Sequence, residues 1–600
     1  MRRRRPQRGE LNRRHRRRTD EHLALAVPPA PPERSRSPRS ITTNVSHLAN
    51  FEIAKTLAAF ADLLEIAGEN VHRSRAFRRA AETIRSHPES IAALRAENLL
   101  TTLPGVGAGI AVALEELVDT GSFTSLDQLA ARYPLSLLDV LQIPGLGAKS
   151  VRRVFEELQV SDLDRLETAA RTGKLATIRG LGPNVTASVL DSIAAIRRRS
   201  MLHRLGTVLP LAESVRESIQ RQMPEAMVDL AGSVRRMEPL VTGIDLVIGH
   251  HDITRAVSAI RDLPDTARTI NVEASSIRML LQSGVELIAL MVAPEHYGTE
   301  LIHATGSAAH LAQLGDLPLA NTEHDVYQRL GLPFIPPEVR SGGEELTRAR
   351  AGDLDRLLTI DDLRGEFHCH STWSDGSASI ATMADAAAVR GYDFLAISDH
   401  SHGLGIAGGL DTTRLADQRR EIDAVNQSSR LTVLAAAEVE VDRTGNLDFD
   451  DNTLSQLDIV VASLHVGLRQ PRDQLTNRLI SILENSHVDI VAHPSGRLLN
   501  QREGGDFDWD RVFAVAAKTG TALEINANPA RLDLDPSLAR QALDAGCVLS
   551  INCDAHRPED FALMRYGVAM ARKAWARPDQ IVNCWPYART SEWVADHRRR

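Results

Sequence analysis

The ten residues from Phe367 to Gly376, Phe-His-Cys-His-Ser-Thr-Trp-Ser-Asp-Gly, constrain this chain more than any other stretch, because their chemistry returns almost to the C-terminus. They contain His368, His370 and Asp375; Asp399-His400, Glu438, His465, His493 and Asp554-Ala-His556 follow. Nearly every one stands at the end of a short apolar run: 394–398 before Asp399, 434–437 before Glu438, 458–464 before His465, 488–492 before His493, 547–553 before Asp554. Runs of that length, separated by helix-length segments, read as buried parallel strands of a β/α array. Ligand-type residues at successive strand C-termini converge on one face of a barrel. Imidazole and carboxylate without a thiolate pattern suit Zn²⁺, Mn²⁺ or Fe²⁺ better than a structural cysteine–zinc site. A lone histidine is ordinarily a packed or surface residue. The His368-x-His370 pair shares one strand face, yet alone it is a weak signal. Six histidines and three carboxylates at strand ends are not explained by packing. The expected site is a polynuclear metal centre.

These residues carry a resemblance. From about 360 to 590 the chain resembles the PHP (polymerase and histidinol phosphatase) family, and the likeness continues through Val491–Leu499, Leu523–Asp533 and Met564–Ala569. The resemblance implies a distorted β/α barrel and a site for up to three divalent ions, Mn²⁺ foremost, with Zn²⁺ or Fe²⁺ as alternatives. All nine of its ligand positions are filled: His368, His370, Asp375, His400, Glu438, His465, His493, Asp554 and His556. Arg497 and Arg531 are candidate phosphate contacts. His402 is a candidate for orienting a ligand or moving a proton, with an exposed supporting role as the alternative.

Six hundred residues exceed any single core, so three or more domains are expected. The four cysteines, Cys369, Cys547, Cys553 and Cys584, lack CxxC spacing, which points to a reduced, cytoplasmic setting. No run reaches the eighteen or so apolar residues of a membrane span. Charge is uneven: residues 1–40 hold 13 Arg and 4 acids, and the rest carries 57 basic and 74 acidic residues, or −17. That Arg- and Pro-rich tail reads as disordered and able to bind phosphate backbone without sequence preference. The alternative is biased coding or a misassigned start.

From Phe51 apolar residues recur at three- and four-residue spacing, the mark of helices. A unit then repeats three times: Leu103-Pro-Gly-Val-Gly, Ile143-Pro-Gly-Leu-Gly and Ile178-Arg-Gly-Leu-Gly. This is the helix-hairpin-helix pattern, in which a Gly-x-Gly turn brings backbone N–H groups to a DNA phosphate at a helix N-terminus. One such turn is usually only a turn; three spaced copies point to DNA backbone binding at Gly105, Gly107, Gly145, Gly147, Gly180 and Gly182.

A mixed α/β segment follows, with Gly232-Ser233-Val-Arg235-Arg236 and Gly243-Ile-Asp245. Together with Ala304–Ser307 and Gly331–Arg340, it makes residues 46–340 similar to the family X DNA polymerases, relatives of DNA polymerase beta. That family holds two metals with an Asp-x-Asp pair on one strand and a third Asp on a neighbour. Here the first position is Gly243, leaving Asp245, and the third falls on Glu286, one methylene longer. Gly232, Ser233 and Arg236 remain as a residual phosphate-holding loop. The expectation is lost synthesis, with Gly243→Asp restoring the pair at little cost to the strand. The lyase activity of some relatives needs a Schiff-base lysine; the matching residue here is Arg79, and Lys55, Lys149 and Lys174 do not align with it.

The reading is a multidomain chain: a basic tail (1–45), a helical helix-hairpin-helix domain (46–125), a fingers-like helix-hairpin-helix domain (126–200), an α/β nucleotidyltransferase-like palm (201–290), a thumb-like domain (291–345), a linker (346–362) and a PHP barrel (363–600). Its expected function is metal-dependent 3′–5′ exonuclease action on gapped or primer-end DNA in repair, in a bacterial cytoplasm at the nucleoid. The alternatives are an active family X polymerase with PHP proofreading and a small-molecule phosphatase.

Overall fold

The computed structural model describes residues 50–85, 91–143, 145–182, 186–193, 202–404 and 407–599. The tail, residues 1–45, lies outside them.

The N-terminal part is all helical. Ile53, Leu57, Phe60 and Leu64 fall on one face of the helix Asn50–Ala67 and are buried. Phe60 meets Phe77 and Phe123 edge-on, with centroids 4.7 and 4.9 Å away. The three Gly-x-Gly turns have one geometry. Gly105, Gly145 and Gly180 have φ of +80°, +86° and +94°, a region only glycine enters freely. Gly107 and Gly147 then cap the helices Ala108–Thr120 and Ala148–Leu158. Buried side chains from Ile53 to Ile193 form one continuous core, so the two helical modules read from the sequence pack as one body. Arg152 ties them further, its Nη1 donating to Ala67 O over 2.9 Å.

The next module is built on a five-stranded sheet. A short antiparallel pair, β1 (His203–Arg204) with β3 (Leu240–Val241), flanks it. The sheet strands are β2 (Met227–Ala231), β4 (Ile244–Gly249), β5 (Thr266–Val272), β6 (Ser276–Leu281) and β7 (Glu286–Val292), in the order β2-β4-β7-β6-β5. Only β4 and β7 run parallel. Period-two alternation sorts the faces. Leu287, Ala289 and Met291 of β7 are buried in the core with the helices Leu205–Gln222 and Ile253–Arg261, whereas Ile288 is 40% exposed. Beyond the sheet, Glu323 accepts from both Nη atoms of Arg235 (2.8 and 2.7 Å) and from Arg340 Nη1 (2.5 Å), all three side chains being largely buried.

The C-terminal part is a nearly closed parallel barrel. Its strands are β8 (Gly365–Glu366), β9 (Phe394–Ile397), β10 (Thr432–Glu440), β11 (Ile459–Ser463), β12 (Ile490–Val491), β13 (Ala522–Asn526) and β14 (Leu549–Asn552), in chain order. The ends approach past β8 and β14: Cys369 bridges Ala555 in parallel, and His370 N–H donates to Ala555 O over 2.8 Å. The buried Glu366 carboxyl accepts from the amides of His368 and Cys553 (3.2 and 3.1 Å) across the same seam, and burial pushes it up to about 8. Alternate strand residues, Phe394 and Ala396, Leu434 and Ala436, Ile459 and Val461, pack with Trp585 and Val594 of the C-terminal segment.

The other strand face joins the surrounding helices in a core continuous with that of the five-stranded sheet. Arg565 holds Glu213 at 2.9 and 3.1 Å, and Lys573 holds Glu238 at 2.8 Å across that junction. The segment 346–362 is packed as well, with Leu346, Leu357 and Leu358 buried.

Removing one member of the Arg235–Glu323–Arg340 set leaves uncompensated buried charge. Glu323→Ala is expected to destabilise the chain by about 3–5 kcal/mol, read as a lowered denaturation midpoint; an unchanged midpoint would show that the ion set contributes nothing.

Candidate metal centre

Parallel strands end together, so residues just past them share one mouth. His368 and His370 follow β8, His400 follows β9, Glu438 lies near the end of β10, His465 follows β11, His493 follows β12, and Asp554 and His556 follow β14. Asp375 reaches the same place from the loop after His370. Asp399 anchors that loop: its carboxylate accepts from Ser371 N–H (2.8 Å), Ser371 Oγ (2.6 Å) and Gln418 Nε2 (2.6 Å).

Three groups of ligand atoms result, each with its atoms within 4.8 Å of one another: His370, Asp375, His400 and His556; His368, His370 and Glu438; Glu438, His465 and His493. Asp554 closes the set, with Oδ1 3.2 Å from His370 Nε2 and 3.7 Å from His368 Nε2. All nine residues expected as ligands are therefore gathered.

The donor set fits divalent cations. Both ring nitrogens of His370, Nε2 of His368 and Nδ1 of His400 are buried without a hydrogen bond. Tautomers are arranged from behind. His368 Nδ1–H donates to Glu524 Oε1 (2.8 Å) and His556 Nδ1–H to Asp554 O (2.9 Å), while His465 Nδ1–H donates to Glu440. A donating Nδ1 leaves the Nε2 lone pair directed at the centre.

The electrostatics agree. Burial would lift Glu438, but the imidazoles of His400, His368 and His465 outweigh it and hold the carboxyl well below its usual range. Burial likewise opposes ionisation of Asp554, and His368 and His370 overcome it. His370 is pulled down by burial and by His556 and His400, which keeps it neutral and able to ligate. His493 and Asp554 also hold positive φ, 29° and 54°. Such backbone costs of order 1–3 kcal/mol and persists where function requires it.

Glu440 and Glu524 are not singled out by the sequence reading, and Asp399, which it names in the recurring series, is given no supporting role there. Their signal was there: an acid inside an otherwise apolar strand run, and in Glu438-x-Glu440 two acids on one strand face. Arg531 points to the centre, its Nε 3.9 Å from Asp554 Oδ2 and its Nη1 buried without a partner. Arg497 is differently engaged. Its guanidinium donates to Arg531 O (2.9 Å) and to Leu532 O and lies 3.5 Å from Asp535, so it braces the loop that carries Arg531. His402 is exposed, 5.8 Å from the Phe449 ring.

The five-stranded sheet holds no comparable group among the described residues. Asp245 is partly shielded, and burial raises its carboxyl, with Arg236 opposing and Glu286 adding to the rise. Glu286 is taken by Arg278 from the adjacent strand, with Nη2 3.0 Å from Oε2. Arg236 Nη1 donates to Thr305 O at 2.6 Å, and Ser233 Oγ is shielded without a hydrogen bond. Gly232 lies against Asp245. A Cβ on Gly243 would stand 2.5 Å from the backbone oxygen of Glu286. The expectation that an Asp fits at 243 with little adjustment is therefore corrected: β4 and β7 have closed over that position.

The hairpin turns keep their backbone open. Among the described residues, chain neighbours aside, no heavy atom lies within 4 Å of a Cβ built on Gly107, Gly145, Gly147, Gly180 or Gly182, and at Gly105 the nearest is Arg79 Cβ at 3.8 Å. Arg79 thus flanks the first turn.

Helical hairpins, a nucleotidyltransferase-like sheet and a histidine–carboxylate centre in a barrel define a DNA-polymerase-like protein fused to a PHP-type phosphoesterase. Residues 48–123 match the helix-hairpin-helix domain family, and 97–161 the SAM-like helix-hairpin-helix tandem. The DNA polymerase/3′-5′ exonuclease PolX of Bacillus subtilis (strain 168) is 32% identical over 556 residues, 89% of this chain and 97% of that protein. The C-terminal part matches a "Probable phosphatase" of Thermoanaerobacter sp. (strain X514), 26% identical over 246 residues, 39% of this chain and 95% of the relative. A "Probable phosphatase" of Shewanella loihica is 30% identical over 206 residues, 32% of this chain and 77% of the relative. The chain belongs to the bacterial PolX family.

Supporting partners of metal-binding histidines commonly tune affinity about 10–100-fold. Glu524→Gln is expected to weaken Mn²⁺ binding within that range while the fold is kept, measured by metal titration with circular dichroism as the control. Affinity equal to wild type would show that the Glu524–His368 contact does not support the centre.

Proposed function

We propose that this chain is a divalent-metal-dependent DNA phosphodiesterase that removes nucleotides from 3′ ends, with Mn²⁺ the preferred ion and Zn²⁺ or Fe²⁺ as alternatives. The observation that carries the reading is the triple ligand group at the barrel mouth, where imidazole nitrogens are buried against carboxylates without a hydrogen bond. His370 and Glu438, each belonging to two of the ligand groups, would help to hold the ions. Bound divalent ions activate water at neutral pH and stabilise charge on the phosphoryl oxygens. The protein's own part is positioning. Glu524 and Glu440 fix the rings of His368 and His465, Asp399 holds the Asp375 loop, and Arg531 offers a guanidinium to a phosphate oxygen beside Asp554.

The hairpin modules would hold the duplex or primer end, their open turns presenting backbone N–H groups to phosphates. The name of the Bacillus relative, polymerase and exonuclease together, supports DNA as the substrate. We assign the five-stranded module to DNA binding without synthesis. Two-metal transfer needs carboxylates around both reacting oxygens, and here one position is Gly243 and another is neutralised by Arg278.

Two outcomes test this. With Mn²⁺ and a labelled primer–template, wild type is expected to shorten the primer, whereas His368→Ala/His370→Ala should lose hydrolysis and bind less metal. Undiminished hydrolysis by the double variant, with contaminating nuclease excluded, would sink the assignment. The same double variant, given dNTPs, should extend nothing. Adding Gly243→Asp should not restore extension, because the new side chain meets the Glu286 carbonyl. Robust incorporation by the hydrolysis-dead parent would overturn the loss of synthesis.

A further inference from the structure

We propose that Arg502 and Arg469, with Arg531, form a binding site for the phosphodiester next to the one being hydrolysed, so that the barrel grips a nucleic-acid strand by two consecutive phosphates. The inference rests on the phosphodiesterase reading and adds where the strand is gripped beyond the linkage being cut.

The argument begins at the metal centre and moves outward. Arg531 is the inner member, set beside Asp554, with a shielded Nη1 that nothing satisfies. Arg502 comes next. Its Nε and Nη2 both donate to Gly496 O, at 2.9 and 2.7 Å, which fixes the plane of the guanidinium. Arg469 is the outer, exposed member. Its neighbour Leu468 lies against Gly496, where a Cβ would stand 2.6 Å from Leu468 Cδ1.

The three loops that carry these cations meet at Gly496, which takes the Arg502 guanidinium on its carbonyl, donates its N–H to Asp533 and lies against Leu468. Burial, then Arg531, pull the Arg502 guanidinium below its ordinary pKa, with Arg469 adding to the pull and Asp533 opposing it. Asp533 is already committed: its carboxylate accepts from Ser495 N–H (3.2 Å) and Gly496 N–H (2.8 Å). Like charges so placed call for an anion, and Arg is the side chain suited to phosphate.

The position of the cluster favours a polymer. Arg204 Nε donates to Leu499 O (3.1 Å) and Asn500 Nδ2 to Leu202 O (2.8 Å). The loop that carries Arg502 is therefore where the barrel meets the first described residues of the preceding module. A strand held by both parts runs over it.

The test uses the full-length Mn²⁺ protein and two 5′-labelled oligonucleotides, one natural and one with an uncharged methylphosphonate at the penultimate 3′ linkage. A charge-assisted contact is worth enough that wild type should lose at least about tenfold in kcat/KM on the modified strand, chiefly through KM. Arg502→Gln should show that loss on the natural strand and little further loss on the modified one. Arg469→Gln, which touches no Gly496 contact, should behave likewise to a smaller degree even if Arg502→Gln disturbs its loop. A modified strand cut as well as the natural one by wild type would overturn the site. So would losses from substitution and methylphosphonate that simply multiply. Wild type that cuts neither strand fails the phosphoesterase reading itself, and the site with it.

Discussion

The carboxylate of Glu438 is the contact on which the barrel mouth depends. It is buried, and five imidazoles reach it: His400 (2.9 Å), His368 (3.2 Å) and His370 (3.6 Å) at Oε2, His493 (3.1 Å) and His465 (3.6 Å) at Oε1. A buried carboxylate is costly unless charge and hydrogen bonds compensate it. Four strand ends, β8 supplying two of the imidazoles, must therefore arrive beside β10 for this residue to be tolerated. The same requirement makes the site a cation trap, because protons on His368 and His400 and divalent ions compete for the same carboxylates. Stability and chemistry are thus set by one group.

Much of this was legible in the sequence. Apolar runs ending in His, Asp or Glu gave the strands and their common face, since a parallel barrel turns linear recurrence into convergence. The hairpin turns were legible because φ near +80° demands glycine at a fixed offset from the next helix. What could not be read lies where side chains choose partners across the fold. Arg497 and Arg531 have the same chemistry, yet one braces backbone carbonyls and the other faces the centre. Nothing in their local sequence separates them. Glu524 and Glu440 were hidden for the related reason that a second layer of support is defined only once the first is in place.

The five-stranded module shows the opposite limit. Period-two reasoning puts Gly243 and Asp245 on one strand, whereas β4 begins at Ile244 with Gly243 just ahead of it, and the neighbouring carbonyl is invisible to such reasoning. Strand pairing brings Ile244 opposite Leu287, which carries the Glu286 carbonyl to the place that a carboxylate side chain introduced at Gly243 would need. A side chain at this position would require β4 and β7 to move apart. Arg278 adds to this, its guanidinium pairing with Glu286 from the adjacent strand.

Packing ties this module to the barrel. The helix Leu205–Gln222 buries Leu205, Val208, Leu209 and Ala212 in a core that runs without a break into the helices around the barrel. Arg565–Glu213 and Lys573–Glu238 hold the same junction. Removing the sheet would expose apolar surface on the outside of the barrel, at about 25 cal/mol for each Å² uncovered, and would strand the charges at its edge. The sheet and its helices are thus part of what keeps the outside of the barrel covered.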